Sequence, residues 1–193
     1  MNPQFEAAWR LHRFLSACRI PYMIIGGLAV QRWGQPRLTR DVDLTILLPP
    51  GGEEPALRAL AEAFAPRLPD AVAFALENRV LPVRVVEGGD ADISLGLPGY
   101  EDQAIARAVD YDLGEGRVVR LCSAEDLIIH KALAGRPQDV LDIEGVVARQ
   151  GARLDLDYLR RWLAELARAA EDPEVVARFE RAWAAWGPDA RWP

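Results

Sequence analysis

The sequence predicts an α+β (α/β) fold: a small mixed sheet flanked by helices, with a helical C-terminal half. Three observations carry that expectation. Short apolar runs alternate with amphipathic stretches through the first half, the pattern of a sheet layered with helices. Glycine and proline clusters cut these runs at Gly26-Gly27, Pro49-Pro50-Gly51-Gly52 and Gly88-Gly89. From residue 100 on, apolar residues recur mostly at helical spacing.

In order along the chain, Phe5, Ala8, Trp9, Leu11, His12 and Leu15 predict an amphipathic helix over 4–18, ended by Pro21. Tyr22-Met23-Ile24-Ile25 reads as a buried strand that closes into a tight Gly26-Gly27 turn, and Leu28 to Trp33 as a short helix. Residues 41–48 alternate and then turn fully apolar, as a strand entering a core does. A helix over 53–64 places Leu57, Leu60, Ala61 and Phe64 on one stripe. Residues 70–77 are expected to be helical, with strands over 80–86 and 91–95 joined by Gly88-Gly89. A helix over 100–108 and a strand over 117–121 follow. Ser123, with Asp126 three residues on, starts a helix that ends at Gly135; Pro137 opens the next, to about Gln150. Helices over 156–169 and 173–186 precede an irregular tail from Gly187 to Pro193. The division expected is a core over 1–122 and a helical region over 123–193.

The chain has 193 residues and is half apolar, enough to bury a core without staples. Cys18 and Cys122 are too few for a disulfide scaffold and match no metal motif. No run approaches the roughly 20 apolar residues of a membrane helix, and Met1 to Arg10 lack the features of a signal peptide, so the cytoplasm is expected. The net charge of −6 argues against a surface coated with phosphate-binding groups, while Arg32, Arg37 and Arg40 leave room for a local basic groove. Of 23 basic residues all but Lys131 are arginine. A compact ammonium and a flat guanidinium are not equivalent at a crowded phosphate site, which singles out Lys131.

Asp41 and Asp43 lie two apart on a predicted strand, so both side chains point to one face. Such a pair repels itself unless a cation lies between, and Mg²⁺ prefers hard oxygen ligands. A solvated strand end would explain the pair alone. The context weighs against that: Gly26-Gly27 at a strand-to-helix turn lets backbone N–H groups approach phosphate oxygens, and Arg37-Leu38-Thr39-Arg40 leads straight into Asp41.

The pattern Gly26-Gly27, thirteen residues, then Asp41-Val42-Asp43 resembles the nucleotidyltransferases of the polymerase-beta-like superfamily. Gly27 stands where many members have serine. The resemblance implies a nucleotidyltransferase core and a third carboxylate that binds metal and takes the proton of the attacking hydroxyl. Asp92 is the best match for it, with Asp90 as the alternative, expected in the Gly88-Gly89 turn.

The stretch from Ser123 through Lys131, Arg136, Asp139 and Asp142 is similar to the AbiEii-like (type IV toxin) branch, as is the Gly26-Gly27-Leu-Ala-Val opening with Arg37-Leu-Thr-Arg-Asp-Val-Asp43. This resemblance covers roughly residues 20–145. It implies catalytic Asp41, Asp43, Asp92 and Lys131, with Asp41, Asp43 and Asp92 as metal ligands and two Mg²⁺ ions. It further implies nucleotide contacts from Gly26, Gly27, Arg37, Thr39, Lys131 and Asp139, with the helical region completing the site. Whether Asp139 or Asp142 supports Lys131 stays open, since acids in a first helical turn also favour the helix dipole. His130 is read as structural, and Trp162, Trp183, Trp186 and Trp192 as packing.

The activity implied is transfer of a nucleoside monophosphate from a nucleoside triphosphate to a hydroxyl, on RNA or a tRNA end. The chain would then be a toxin with a cognate antitoxin. The acidic balance also fits a small-molecule, antibiotic-modifying adenylyltransferase with cationic substrates. The rival class is an inactive nucleotide-binding or antitoxin-like module.

Overall fold

The computed structural model describes residues 2–188 and residue 190. Trp192 and the end of the predicted tail lie outside them. The chain forms two compact units: the chain up to Leu28 with Leu38–Cys122, and Ala29–Arg37 with the chain from Ser123 on.

The first unit is built on one mixed sheet. Its elements are α1 (Pro3–Ala17), β1 (Tyr22–Ile24), the start of α2 (Gly26–Trp33), β2 (Asp41–Ile46), α3 (Glu53–Ala63), β3 (Ala65–Pro66), α4 (Ala71–Asn78), β4 (Val80–Val86), β5 (Gly89–Leu95), α5 (Tyr100–Arg107), β6 (Val109–Asp112) and β7 (Val118–Leu121). The seven strands run in the order β3-β4-β5-β2-β1-β7-β6. β2 pairs with β5, and β1 with β7, in parallel; the other neighbours are antiparallel.

Strand alternation decides what each face carries. Along β5, Gly89, Ala91, Ile93 and Leu95 are buried and Asp90, Asp92 and Ser94 half-buried. On β2, Val42, Leu44 and Ile46 are buried while Asp41 and Asp43 are half-buried. Helix α1 covers the apolar face with Ala7, Ala8, Leu11 and Leu15, all buried, and approaches so closely that a Cβ on Gly89 would lie 3.1 Å from the Ala7 methyl. Its start is fixed by Asn2, whose Oδ1 accepts from the Gln4 amide at 2.9 Å, and by Pro3 in the first turn.

The second unit is helical: α6 (Ala124–Ala134), α7 (Pro137–Gln150), α8 (Leu156–Ala169) and α9 (Glu174–Trp186), with a 3₁₀ turn over Gly151–Arg153. Its core holds Leu127, Ile128, Ile143, Val146, Val147, Leu159, Leu163, Val175 and Phe179. Each such apolar side chain stabilises the unit by about 1.5–3 kcal/mol. Ser123 caps α6, its Oγ accepting from the Asp126 amide and donating to the Asp126 carboxylate. The segment Ala29–Arg37 is held here because Arg149 donates to the Gly34 carbonyl at 2.5 Å and Gln150 to the Trp33 carbonyl at 2.8 Å.

Gly26 and Gly27 stand at the very start of α2, and Gly26, with φ 62°, makes the turn into it from β1. Several expectations are corrected. Asp90 belongs to β5, on the face that carries Asp92, since residues two apart on a strand share a side. β3 and β6 were not foreseen. Trp162 is buried, as packing requires, but Trp186 is 37% exposed.

Candidate active site

The parallel ladder between β2 and β5 sets Asp41 opposite Asp90 and Asp43 opposite Asp92. Paired residues on neighbouring strands lie about 4.8 Å apart and project to the same side. Four carboxylates therefore stand on one sheet face, the face away from α1. None of them faces the apolar core.

Positive charge offsets this cluster. Arg67, which follows β3, pairs with Asp92 through one Nη and with Asp90 at 3.4 Å through the other. Arg84 grips Asp90 with Nε at 2.8 Å and Nη2 at 3.2 Å. The hydrogen bond from Arg84 holds the Asp90 carboxyl below the ordinary carboxylate range, against the opposing effect of burial.

The start of α2 closes the other side of the acid pair. The Ile25 amide donates to the Asp43 carbonyl at 2.8 Å, which brings the helix start against β2. Gly26 has a positive φ of 62°, and a Cβ there would fall 1.9 Å from Asp43 Oδ2. Only glycine fits. At Gly27 a Cβ would meet Thr39, at 2.4 Å from Oγ1 and 2.5 Å from its Cβ. Thr39 thus fills the space that a serine at position 27 would need. The Thr39 hydroxyl donates to the Asp41 carbonyl at 3.0 Å and so steadies the backbone beneath the acid pair.

These residues fit Mg²⁺ by donor chemistry: three hard carboxylates share one sheet face, and Asp41 and Asp43 are both partly open to solvent. Among the described residues no group of three or more His, Cys, Asp or Glu side chains is already arranged to hold an ion. Asp90 and Asp92 are turned to Arg67 instead.

Lys131 lies in the second unit and is 6% exposed. Its Nζ sits 2.7 Å from Asp139 Oδ1 and 2.7 Å from Asp142 Oδ2, so both acids hold it and the question between them dissolves. Arg37 meets Asp142 with two bonds of 2.9 Å, and Arg136 Nε meets Asp139 at 2.7 Å. Three cations thus face two carboxylates. Burial works to raise both carboxyls; hydrogen bonds from Arg136 and Lys131 at Asp139, and from Arg37 and Lys131 at Asp142, outweigh it and leave both below the ordinary range. Of the expected basic groove, Arg37 is engaged in this network and Arg32 stacks over Trp33 at 4.8 Å. On the next residue, burial first and the Lys131 charge second lower the His130 imidazole to about 4, so it stays neutral, in keeping with a structural role.

Sequence reasoning missed Arg67 and Arg84. Neither stands in a motif; each finds its acid across strand pairs that only the fold brings together.

The sequence matches no family model, and no curated protein matches it. Solved structures do. The chain is similar to the antibiotic-resistance factor ANT(2″)-Ia, with a TM-score of 0.53, 19% identity and 96% of each chain covered. An antigenic nucleotidyltransferase-like protein from Paracoccidioides brasiliensis aligns with a TM-score of 0.52 at 19% identity over 92% of each chain. The lincosamide antibiotic adenylyltransferase LnuA, solved with lincomycin bound, aligns with a TM-score of 0.50 at 14% identity, over 73% of this chain and 94% of its own. At such identities the likeness is one of fold: the chain has the fold of the nucleotidyltransferases. Among the described residues no helix is long and apolar enough to cross a membrane.

Proposed function

We propose that this chain is a Mg²⁺-dependent nucleotidyltransferase that moves a nucleoside monophosphate from a nucleoside triphosphate to an acceptor hydroxyl and releases pyrophosphate. The observation that carries the reading is the register that sets Asp43 beside Asp92 on one sheet face, with Gly26 of the α2 start against Asp43.

Asp41, Asp43 and Asp92 would hold Mg²⁺, which, when bound, neutralises charge on the phosphates and on the attacking and leaving oxygens. Asp92 takes the proton of the acceptor hydroxyl. That oxygen bonds to the α-phosphorus as the bond from phosphorus to the bridging oxygen breaks, and pyrophosphate leaves with the electron pair. Gly26 and Gly27 offer the N–H groups of a helix start to phosphate oxygens. Thr39 acts through the Asp41 backbone as a positioning residue. The phosphate-directed role of Lys131 rests on the sequence resemblance alone; within its own unit its ammonium is held by Asp139 and Asp142.

The acceptor we favour is a small molecule. The net charge of −6 supports it over RNA. An RNA acceptor, a toxin role and a cognate antitoxin rest on the sequence motifs alone. Calorimetry with each nucleoside triphosphate and Mg²⁺, followed by transfer of an α-labelled phosphate to total RNA, total protein and a small-molecule panel, tests the reading. Nucleotide binding without transfer to any acceptor would support an inactive module, and labelling of RNA with growth arrest relieved by Asp43→Ala would support the toxin.

A further inference from the structure

We propose that the pocket beside Asp92 is the acceptor site, and that it takes a hydroxyl-bearing small molecule with an apolar body that is uncharged or anionic, not an amine. The proposal rests on the transferase reading above, because Asp92 is the group assigned there to the acceptor proton.

The pocket measures about 440 Å³ and is lined by Arg67, Leu68, Phe74, Val80, Pro82 and Asp92, all of the first unit. The β4–β5 register sets Val80 opposite Ser94 and Pro82 opposite Asp92, so both share the acid-bearing face and form the pocket floor. Phe74 of α4 is half-buried, and Leu68 is 40% exposed. An apolar floor and walls ending on one carboxylate suit a ligand whose body is apolar and whose reactive group is polar. A volume of this size admits a molecule of one or two rings rather than a folded RNA.

Charge selects further. Asp92, the one carboxylate in the lining, is paired with Arg67, and were it to turn to a metal the Arg67 guanidinium would remain in the lining, so an ammonium entering the pocket would meet a cation in either state. Arg67 is the one cationic side chain in the lining, and a ligand hydroxyl or carboxylate oxygen is the partner to which its guanidinium would donate there. Arg67 thereby becomes the residue that sets specificity against amines.

Three probes with one ring system separate the charges: indole-3-ethanol, indole-3-acetate and tryptamine. Binding to the full chain is followed through the methyl resonances of Leu68 and Val80, with Mg²⁺–ATP binding measured on the same sample by calorimetry. The alcohol and the acid should shift these methyls and bind about tenfold more tightly than tryptamine or better. Phe74→Ala should weaken both about tenfold by removing the aromatic wall. Leu68→Glu, at a position 40% exposed, should invert the order so that tryptamine binds best, with thermal unfolding of the variant measured alongside. Tryptamine binding as tightly as the other two, or an order unmoved by Leu68→Glu, would overturn the proposal. Nucleotide bound while no probe moves these methyls would overturn the pocket and leave the transferase reading intact. Failure to bind nucleotide would overturn both, whatever the probes do.

Discussion

Asp43 and Asp92 stand opposite one another on parallel strands, so two carboxylates from positions 49 residues apart in sequence project side by side from one sheet face. Asp41 extends the cluster along β2 and Asp90 along β5. The fold gathers like charge on one face and sets Arg67 and Arg84 against it.

Replacing Asp41 by alanine should abolish transfer, by a factor of about 1,000 or more, since a metal ligand is lost. Folding should hardly notice: removal of one of several like charges at a half-exposed position changes stability by about 0.5 kcal/mol or less, or raises it. Thermal unfolding measured beside the transfer assay separates a chemical acid from a structural one.

Gly27→Ser should destabilise the fold by about 1–3 kcal/mol through overlap with Thr39, whose Cβ is already too near. Thr39→Gly opens the space, so the double variant should recover most of the loss. A denaturant double-mutant cycle reads the coupling, which should be large and favourable.

Arg67→Gln should free Asp92 and part of Asp90, and divalent-ion affinity should rise about threefold to tenfold as a competing cation is removed. The lost pair is partly exposed and should cost about 1 kcal/mol or less in stability. Paramagnetic Mn²⁺ titration of the variant and the parent checks this.

Much of this was legible in advance. Helices with clean periodicity, such as α1 and α8, stand where the pattern put them. β6 escaped although Val109-Asp110-Tyr111-Asp112 alternates as a strand does, because four residues are too short a run to stand out beside a helix, and its regular pairing with β7 comes only with the fold. Glycines suggest a turn, and at positions 26 and 27 a further need comes from Asp43 and Thr39, contacts no local pattern reveals. Arg67 lies in a proline-flanked link and meets Asp92 across β4, which pairs with β3 on one edge and β5 on the other. The Asp139-or-Asp142 question had no sequence answer, since a helical turn of spacing lets both acids reach one lysine.

Lys131→Met should lower stability by about 3 kcal/mol, because two buried carboxylates lose the cation between them while Arg37 and Arg136 remain as partial compensation. Asp142→Asn should cost less, as Asp139 still holds the ammonium. The comparison by thermal unfolding tells whether Lys131 carries structural weight beside any phosphate contact.

Stability should fall in two steps as pH drops. His130 titrates near 6.5 when unfolded and near 4 when folded, so its contribution is complete above 6.5 and is lost as pH falls toward 4. Asp139 and Asp142 have folded values below the ordinary 3.8; their contribution is present above 3.8 and is lost as pH falls through the lowered values. His130→Gln should remove the upper step and leave the lower one, as followed by unfolding midpoints across pH 3–7.

The most direct measurement is Mn²⁺ binding by electron paramagnetic resonance, in the presence of a non-hydrolysable nucleoside triphosphate analogue. The parent protein should bind the ion together with the nucleotide, and Asp43→Asn should weaken that binding about a hundredfold or more, as expected when a carboxylate ligand to the metal is lost. Equal Mn²⁺ binding by parent and Asp43→Asn would contradict the assignment of these carboxylates as a metal site.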